Sequence, residues 1–265
     1  MKDTQGTDEN NSFCGKVNLR QGQNVLIFNV RFVMSSSVTL GPLRAKFLAL
    51  EQEREQTWTP EALAVNVNQR ALLVREHRQT LHAVQKGDRI PRFTLPTVDG
   101  GQVSLSNLVA NGPVVLVFFR FAGCPACNIA LPHYRDTLWP TLMAAGISLL
   151  AISPQPVSAL SEIVTRHKLP FPVASDTKLE LSRALGITYI FDAASCQAAT
   201  SKGGKSLDIN GLDDVWELPK PAVLVVGPEH VIQFADVSPD WMDRTESEQV
   251  IAALGLNKGE ASHAA

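Results

Sequence analysis

The run Val114 to Phe121 is apolar or aromatic at every position but Arg120, and it leads straight into Ala122-Gly123-Cys124-Pro125-Ala126-Cys127 and a helix-like stretch. That order constrains the chain more than any other feature. The apolar run reads as a buried strand, the chain turns at Gly123, and a Cys-x-x-Cys pair falls on the first turn of a helix. Unpaired backbone N–H groups and the positive end of the macrodipole lie at such a helix start. Both favour a thiolate, so a cysteine there is drawn well below its free pKa of roughly 8.5. A thiolate is the nucleophile of disulfide exchange and of peroxide reduction. The two-residue spacing lets the second sulfur reach the first once it is oxidised. The pattern points to cysteine redox chemistry.

The rest of the chain gives that segment an ordinary globular setting. Of 265 residues, 45% are hydrophobic and 19% charged, enough material for a sizeable core. The formal net charge is −2 and no basic stripe occurs, which argues against nucleic acid as a partner. No apolar run approaches the roughly 18–20 residues that would cross a bilayer, so no membrane is expected. The first 24 residues are polar, and the short apolar run Val25 to Met34 is interrupted by Asn29 and Arg31, a poor signal peptide. Of the four cysteines, Cys14 and Cys196 are isolated and only Cys124 and Cys127 have meaningful spacing. That is no disulfide scaffold, and a reduced, cytoplasmic protein is the simplest reading.

Residues 1–33 read as a disordered leader, with Met34 as an alternative translation start. A helical extension over 34–84 follows. Leu43, Phe47 and Leu50 recur at helical spacing. Thr59-Pro60 opens a second helix as N-cap and first residue, with Leu63, Val67, Ala71 and Val74 on its apolar stripe. Residues 85–257 form the redox domain, and 258–265 a tail. In that domain Asp99-Gly100-Gly101 turns a hairpin between Phe93–Pro96 and Val103–Leu105. Strands are expected at 114–121, 147–152, 171–174, 222–226 and 231–234. Helices are expected at 125–145, 157–167, 177–185 and 245–254. Residues 192–213, rich in Ser, Gly, Asp and Ala, read as an inserted loop, with Cys196 an exposed bystander on it. The acidic run Asp208 to Glu217 reads as solvated. Strand–helix–strand order implies parallel pairs and the late hairpin an antiparallel one, so the fold class is α/β with a mixed central sheet flanked by helices, the thioredoxin-like layout.

Several of these segments together resemble one family. Phe118-Phe119-Arg120, Cys124-Pro125-Ala126-Cys127, Ala151-Ile152-Ser153-Pro154-Gln155 and Leu218-Pro219-Lys220-Pro221-Ala222 are similar to landmarks of the peroxiredoxin-like branch of the alkyl hydroperoxide reductase and thiol-specific antioxidant family. The resemblance spans about residues 85 to 255. It implies Cys124 as the attacking thiol and Cys127 as the resolving one. It also implies a cis proline facing the cysteines, which Pro221 matches, and Pro132 lies eight residues after Cys124, as the helix-kinking proline does in thioredoxins. It further implies a hydroperoxide substrate, a thioredoxin- or glutaredoxin-like reductant, no cofactor, and allows a homodimer. Family members carry Pro-x-x-x-Thr-x-x-Cys ahead of the attacking cysteine, where this chain has Val117 and Phe121. The family's arginine near the strand at 222 is replaced by Lys220 and Pro221, which leaves Arg120 as the nearest cation in sequence.

Other readings of the pair stay open beside this one. A zinc site needs four ligands, and no second Cys-x-x-Cys or paired histidines accompany the first. Two inert thiols, or a redox-silent interaction module that kept the fold, are weighed against placement of both cysteines at a helix start. Between the two enzymatic readings, the missing threonine and the Cys-Pro-Ala-Cys spacing favour a thiol–disulfide oxidoreductase acting on protein disulfides. The peroxiredoxin-like surroundings favour a thiol-dependent peroxidase. Arg120 is either a thiolate-stabilising cation or a strand-end residue reaching solvent, and His133, Trp139, Trp216 and Trp241 read first as packing residues.

Overall fold

Two buried faces of one strand organise the molecule. A computed structural model describes residues 41–79 and 83–256. The readings of residues 1–33, Cys14, the Met34 start and the tail from 258 lie outside the described residues. In chain order the elements are α1 (Pro42–Thr57), α2 (Pro60–Gln79), β1 (Thr94–Pro96), β2 (Gln102–Ser104), α3 (Leu105–Leu108), β3 (Val114–Phe118), α4 (Pro125–Thr137) and α5 (Trp139–Ala144). Then come β4 (Ser148–Ser153), α6 (Val157–His167), β5 (Val173–Ser175), a 3-10 turn (Thr177–Leu179), α7 (Glu180–Ala184), β6 (Thr188–Ile190), α8 (Ala193–Thr200) and α9 (Ser206–Asn210). β7 (Glu217–Pro219), β8 (Ala222–Val226), β9 (Ile232–Val237) and α10 (Ser247–Ala253) complete the described chain.

The central sheet runs β5-β4-β3-β8-β9. β3 pairs parallel with β4 and antiparallel with β8, so the mixed sheet expected from strand order is present. β3 is buried on both faces, which its unbroken apolar run requires. Alternate residues serve two cores. Val115 and Val117 face the cluster that holds Cys124, Cys127 and the α1 residues Leu43 and Phe47. Val114, Leu116 and Phe118 face a second cluster with Ile90, Leu105 and Leu185.

The helical extension is tied to the redox domain at both levels, by packing and by capping. Leu43 and Phe47 are fully buried. The Glu246 carboxylate, itself the N-cap of α10, accepts from Leu43 N at 3.1 Å and Arg44 N at 2.8 Å, which satisfies two orphan donors of α1. Thr59 Oγ1 accepts from Ala62 N as expected of an N-cap. The buried face of α2, however, is rotated from the expected stripe: Gln69 and Leu73 are buried while Val67 and Ala71 are exposed.

Four expectations for the later chain are corrected. The helix over 125–145 breaks into α4 and α5, because Pro140 has no N–H to donate. The segment 192–213 is not a loop. Its Asp192 caps α8 by accepting from Ser195 N at 3.0 Å, and alanines, the best helix formers, fill that helix. Cys196 on α8 is consequently buried, with its sulfur 3.9 Å from Phe191 O. Glu217, read as solvated, is buried in β7 and ion-paired with Arg183 at 2.6 Å.

Candidate active site

Cys124 is the N-cap residue of α4 and Pro125 takes the first helical position, so β3, the turn and the helix dipole meet at its sulfur. The turn is held from three sides. Ser153 Oγ donates to Arg120 O at 3.0 Å, and Ala122 N donates to Gln155 Oε1 at 2.6 Å. Asn128 Nδ2 donates to Ala122 O at 2.7 Å and to Cys124 O at 2.8 Å. Asn128 Oδ1 in turn accepts from Arg166 at 2.8 Å and lies 2.7 Å from His167 Nε2, both on α6. The Ser153-Pro154-Gln155 landmark therefore has a physical role, which is to fix the loop that carries the cysteine.

Both sulfurs belong to fully buried residues, so exposure does not distinguish Cys127 from Cys124. Their charge environments do. Burial of Cys124 opposes ionisation, but a hydrogen bond from Cys127 and the positive charges of Arg120 and Arg244 hold its pKa well below the usual thiol range. Burial pushes the Cys127 thiol well above that range, and its hydrogen bond to Cys124 and the charge on Cys124 act in the same direction. The pair is poised with one thiolate and one thiol.

Arg120 Nη1 lies 3.7 Å from Cys124 Sγ. Its guanidinium also stacks 4.6 Å from the Trp241 ring centroid. Arg120 is buried, so the strand-end reading in which it reaches solvent does not describe it. The second cation, Arg244, was not found from the sequence: its Nη2 lies 3.8 Å from Cys127 Sγ. Arg54 of α1 approaches from the other side, donating to Met242 Sδ at 3.6 Å and stacking on Trp58 and Trp241. Arg70 of α2 pairs with Asp240 at 2.7 Å and Glu51 at 2.6 Å beneath the same ring. Trp241 is buried in the core cluster, as its packing reading expected, and its ring also serves as a plate between guanidinium groups. Val117 is buried in β3 and Phe121 lies against Arg120, so no hydroxyl stands at either of those positions.

Pro221 stands in the expected place in the other isomer. Every peptide bond among the described residues is trans. The trans chain runs extended from β7 into β8, which lets Lys220 N donate to Ile187 O at 2.6 Å and Ser238 N to Pro221 O at 2.7 Å. Pro221 still lines the small cavity beside Cys127. His133 is buried next to Lys46 and Glu246, away from the sulfurs' hydrogen bonds. Among the described residues no three His, Cys, Asp or Glu side chains gather to hold a metal ion. No helix there is long and apolar enough to cross a membrane.

Comparison with known proteins identifies the family and the fold. The sequence pattern of the AhpC/TSA family matches residues 86–235, more than half of the chain. Over 105 residues the chain is 31% identical to the putative peroxiredoxin bcp of Coxiella burnetii, a match covering 40% of this chain and 68% of that one. The peroxiredoxin bcp1 of Schizosaccharomyces pombe is 31% identical over 103 residues, covering 39% of this chain and 52% of its own length. The chain thus spans about half to two thirds of the relatives it matches. In fold, the crystal structure of peroxidoxin BcpB from Mycobacterium tuberculosis superposes with a TM-score of 0.52 at 22% identity, covering 66% of this chain and 99% of that one. The chain belongs to the AhpC/TSA family, the peroxiredoxins of the thioredoxin-like fold.

Proposed function

We propose that the protein is a thiol-dependent peroxidase that reduces hydroperoxides through Cys124 and Cys127. The observation that carries this reading is the split between the two buried sulfurs, with the Cys124 thiolate favoured beside Arg120 and the Cys127 thiol disfavoured. The Cys124 thiolate attacks the terminal peroxide oxygen. An S–O bond forms, the O–O bond breaks, and the leaving alkoxide or hydroxide takes up a proton. Cys127 then condenses with the sulfenic acid to a disulfide, releasing water. An external dithiol of thioredoxin or glutaredoxin type restores the reduced pair by exchange. Arg120 takes the place of the family's donors at the O–O bond.

The alternative, a thiol–disulfide oxidoreductase acting on protein disulfides, keeps support from the Cys-Pro-Ala-Cys spacing. Complete burial of both sulfurs favours a small oxidant over a protein one. We place the enzyme in the cytoplasm on its sparse cysteines and, by analogy with the family, in a homodimer that light scattering would detect. Stopped-flow mixing of reduced protein with hydrogen peroxide and with an alkyl hydroperoxide, read by mass analysis, tests the activity. Consumption no faster than by free cysteine ends the peroxidase reading.

A further inference from the structure

Disulfide closure asks more of Cys127 than the Cys124 reaction explains. To attack the sulfenic sulfur, Cys127 must lose its proton, and it sits fully buried on the inner turn of α4. The titratable and charged groups facing it are Cys124, Arg120, Arg244, Tyr134 and Tyr189, with Asp236 held behind Thr245. Beside Cys124, with which its thiol is hydrogen-bonded, Arg244 is the cation placed on its sulfur, at 3.8 Å. Arg244 Nε donates to Trp241 O at 3.0 Å, which fixes the plane of the guanidinium. Among the described residues its side chain donates to nothing else and meets no carboxylate. A cavity of about 10 Å³, room for one water, touches Cys127, Arg244, Tyr134 and Ser238.

A buried guanidinium with no carboxylate requires some other anion. In the reduced protein the Cys124 thiolate meets that need. Once Cys124 is a neutral sulfenic acid, that negative charge is gone, and so is its repulsion of a second thiolate one turn away. We infer that Arg244 is the catalytic cation of the second step, holding the Cys127 thiolate for its attack on oxidised Cys124. Cys127 gives up its proton, the S–S bond forms as the S–OH bond breaks, and the departing hydroxide is protonated to water. Arg120 lies on the attacking sulfur, and Arg244, whose charge also favours that thiolate in the reduced protein, lies on the resolving one. This role rests on the proposed use of the pair, but not on the identity of the oxidant, because a mixed disulfide on Cys124 is resolved by the same attack.

The test compares wild type, Arg244→Met and Arg244→Lys as reduced full-length protein. Each reacts with hydrogen peroxide and, separately, with bis(2-hydroxyethyl) disulfide, and quenched-flow mass analysis follows closure. Each unit of rise in the Cys127 pKa removes about ten-fold of thiolate and returns about three-fold in intrinsic nucleophilicity. For a rise of about one to two units, Arg244→Met should therefore slow closure about three- to ten-fold at neutral pH, with the deficit shrinking and then reversing at alkaline pH, where both thiols are ionised and the variant's thiolate is the stronger nucleophile, and Arg244→Lys should recover most of the rate. Unchanged closure, or a deficit equal at every pH, overturns the assignment. Ultraviolet titration of the Cys127 thiolate in Cys124→Ser, with and without Arg244→Met, gives an independent readout. The second substitution should move that titration upward, and an unmoved titration overturns the role. Failure of wild type to consume peroxide, with the titration still shifted, would instead sink the peroxidase reading alone.

Discussion

Replacing Arg120 by Met removes the guanidinium 3.7 Å from Cys124 Sγ while keeping most of the volume packed against Trp241. At that distance and an effective dielectric near 20, two unit charges attract by about 4 kcal/mol. With each pKa unit worth about 1.4 kcal/mol, that is about three units if nothing else changes. Arg244 and Arg54 still act on the same sulfur, so Cys124 should shift upward by less than that isolated pair implies. Thiolate absorbance against pH reads the shift directly. The two reactions of the thiolate should then part company. Exchange with a small disulfide loses thiolate but gains nucleophilicity, so it should fall by less than about ten-fold at neutral pH. Peroxide reduction also loses the donor that stabilises charge on the breaking O–O bond, an effect of order 10²–10³ for such donors. Arg120→Lys should recover part of the peroxide rate. Equal loss in both reactions would refute the argument, leaving Arg120 only a modifier of the thiolate, and an unmoved titration would remove even that.

Cys124→Ser should abolish turnover, whereas Cys127→Ser should accumulate a sulfenic acid on Cys124 that dimedone traps; first alkylation of Cys127 at neutral pH would reverse the roles. Stability of the reduced protein should follow both thiols. The depressed Cys124 pKa stabilises the fold above the unfolded value near 8.5, an effect lost as pH falls through the lower folded value, while the raised Cys127 pKa costs stability as pH climbs past about 8.5. Thermal melts should therefore show a maximum near pH 8.5, and Cys124→Ser should erase its acidic side. Phe47→Ala, which empties a fully buried site between α1 and the cysteine core, should cost about 3–5 kcal/mol in denaturant melts. The same variant should speed iodoacetamide modification of Cys124, and an unchanged modification rate would mean that α1 does not shield the sulfur.

Local patterns were the legible part. The apolar run of β3 feeding a Cys-x-x-Cys helix start, the bounds Val157–His167 of α6 and Ala222–Val226 of β8, and the glycine-turned hairpin all follow from neighbours in sequence. What escaped depends on residues distant in the chain. Arg244 lies 117 positions from Cys127 and carries no motif of its own; an arginine three residues after a tryptophan gives no sign that both will lie against a sulfur. The face of α2 is set by α8, a helix hidden in a segment whose Ser and Asp content resembles a loop but whose Asp192 serves as a cap. Pro221 lines the cavity beside Cys127 with a trans bond where a cis one was expected, and the strand pairing that accompanies this extended chain joins β7 to β6, far apart in sequence.

The central claim, that Cys124 attacks peroxide and Cys127 closes the cycle, is tested most directly by one stopped-flow experiment on reduced wild-type protein. Hydrogen peroxide or an alkyl hydroperoxide is added, and the quenched product is digested and mapped by mass. The account predicts second-order consumption far faster than by free cysteine, with a product two hydrogens lighter that joins Cys124 to Cys127. Ready reduction of insulin disulfides, together with peroxide consumption no faster than that of free cysteine, would contradict it.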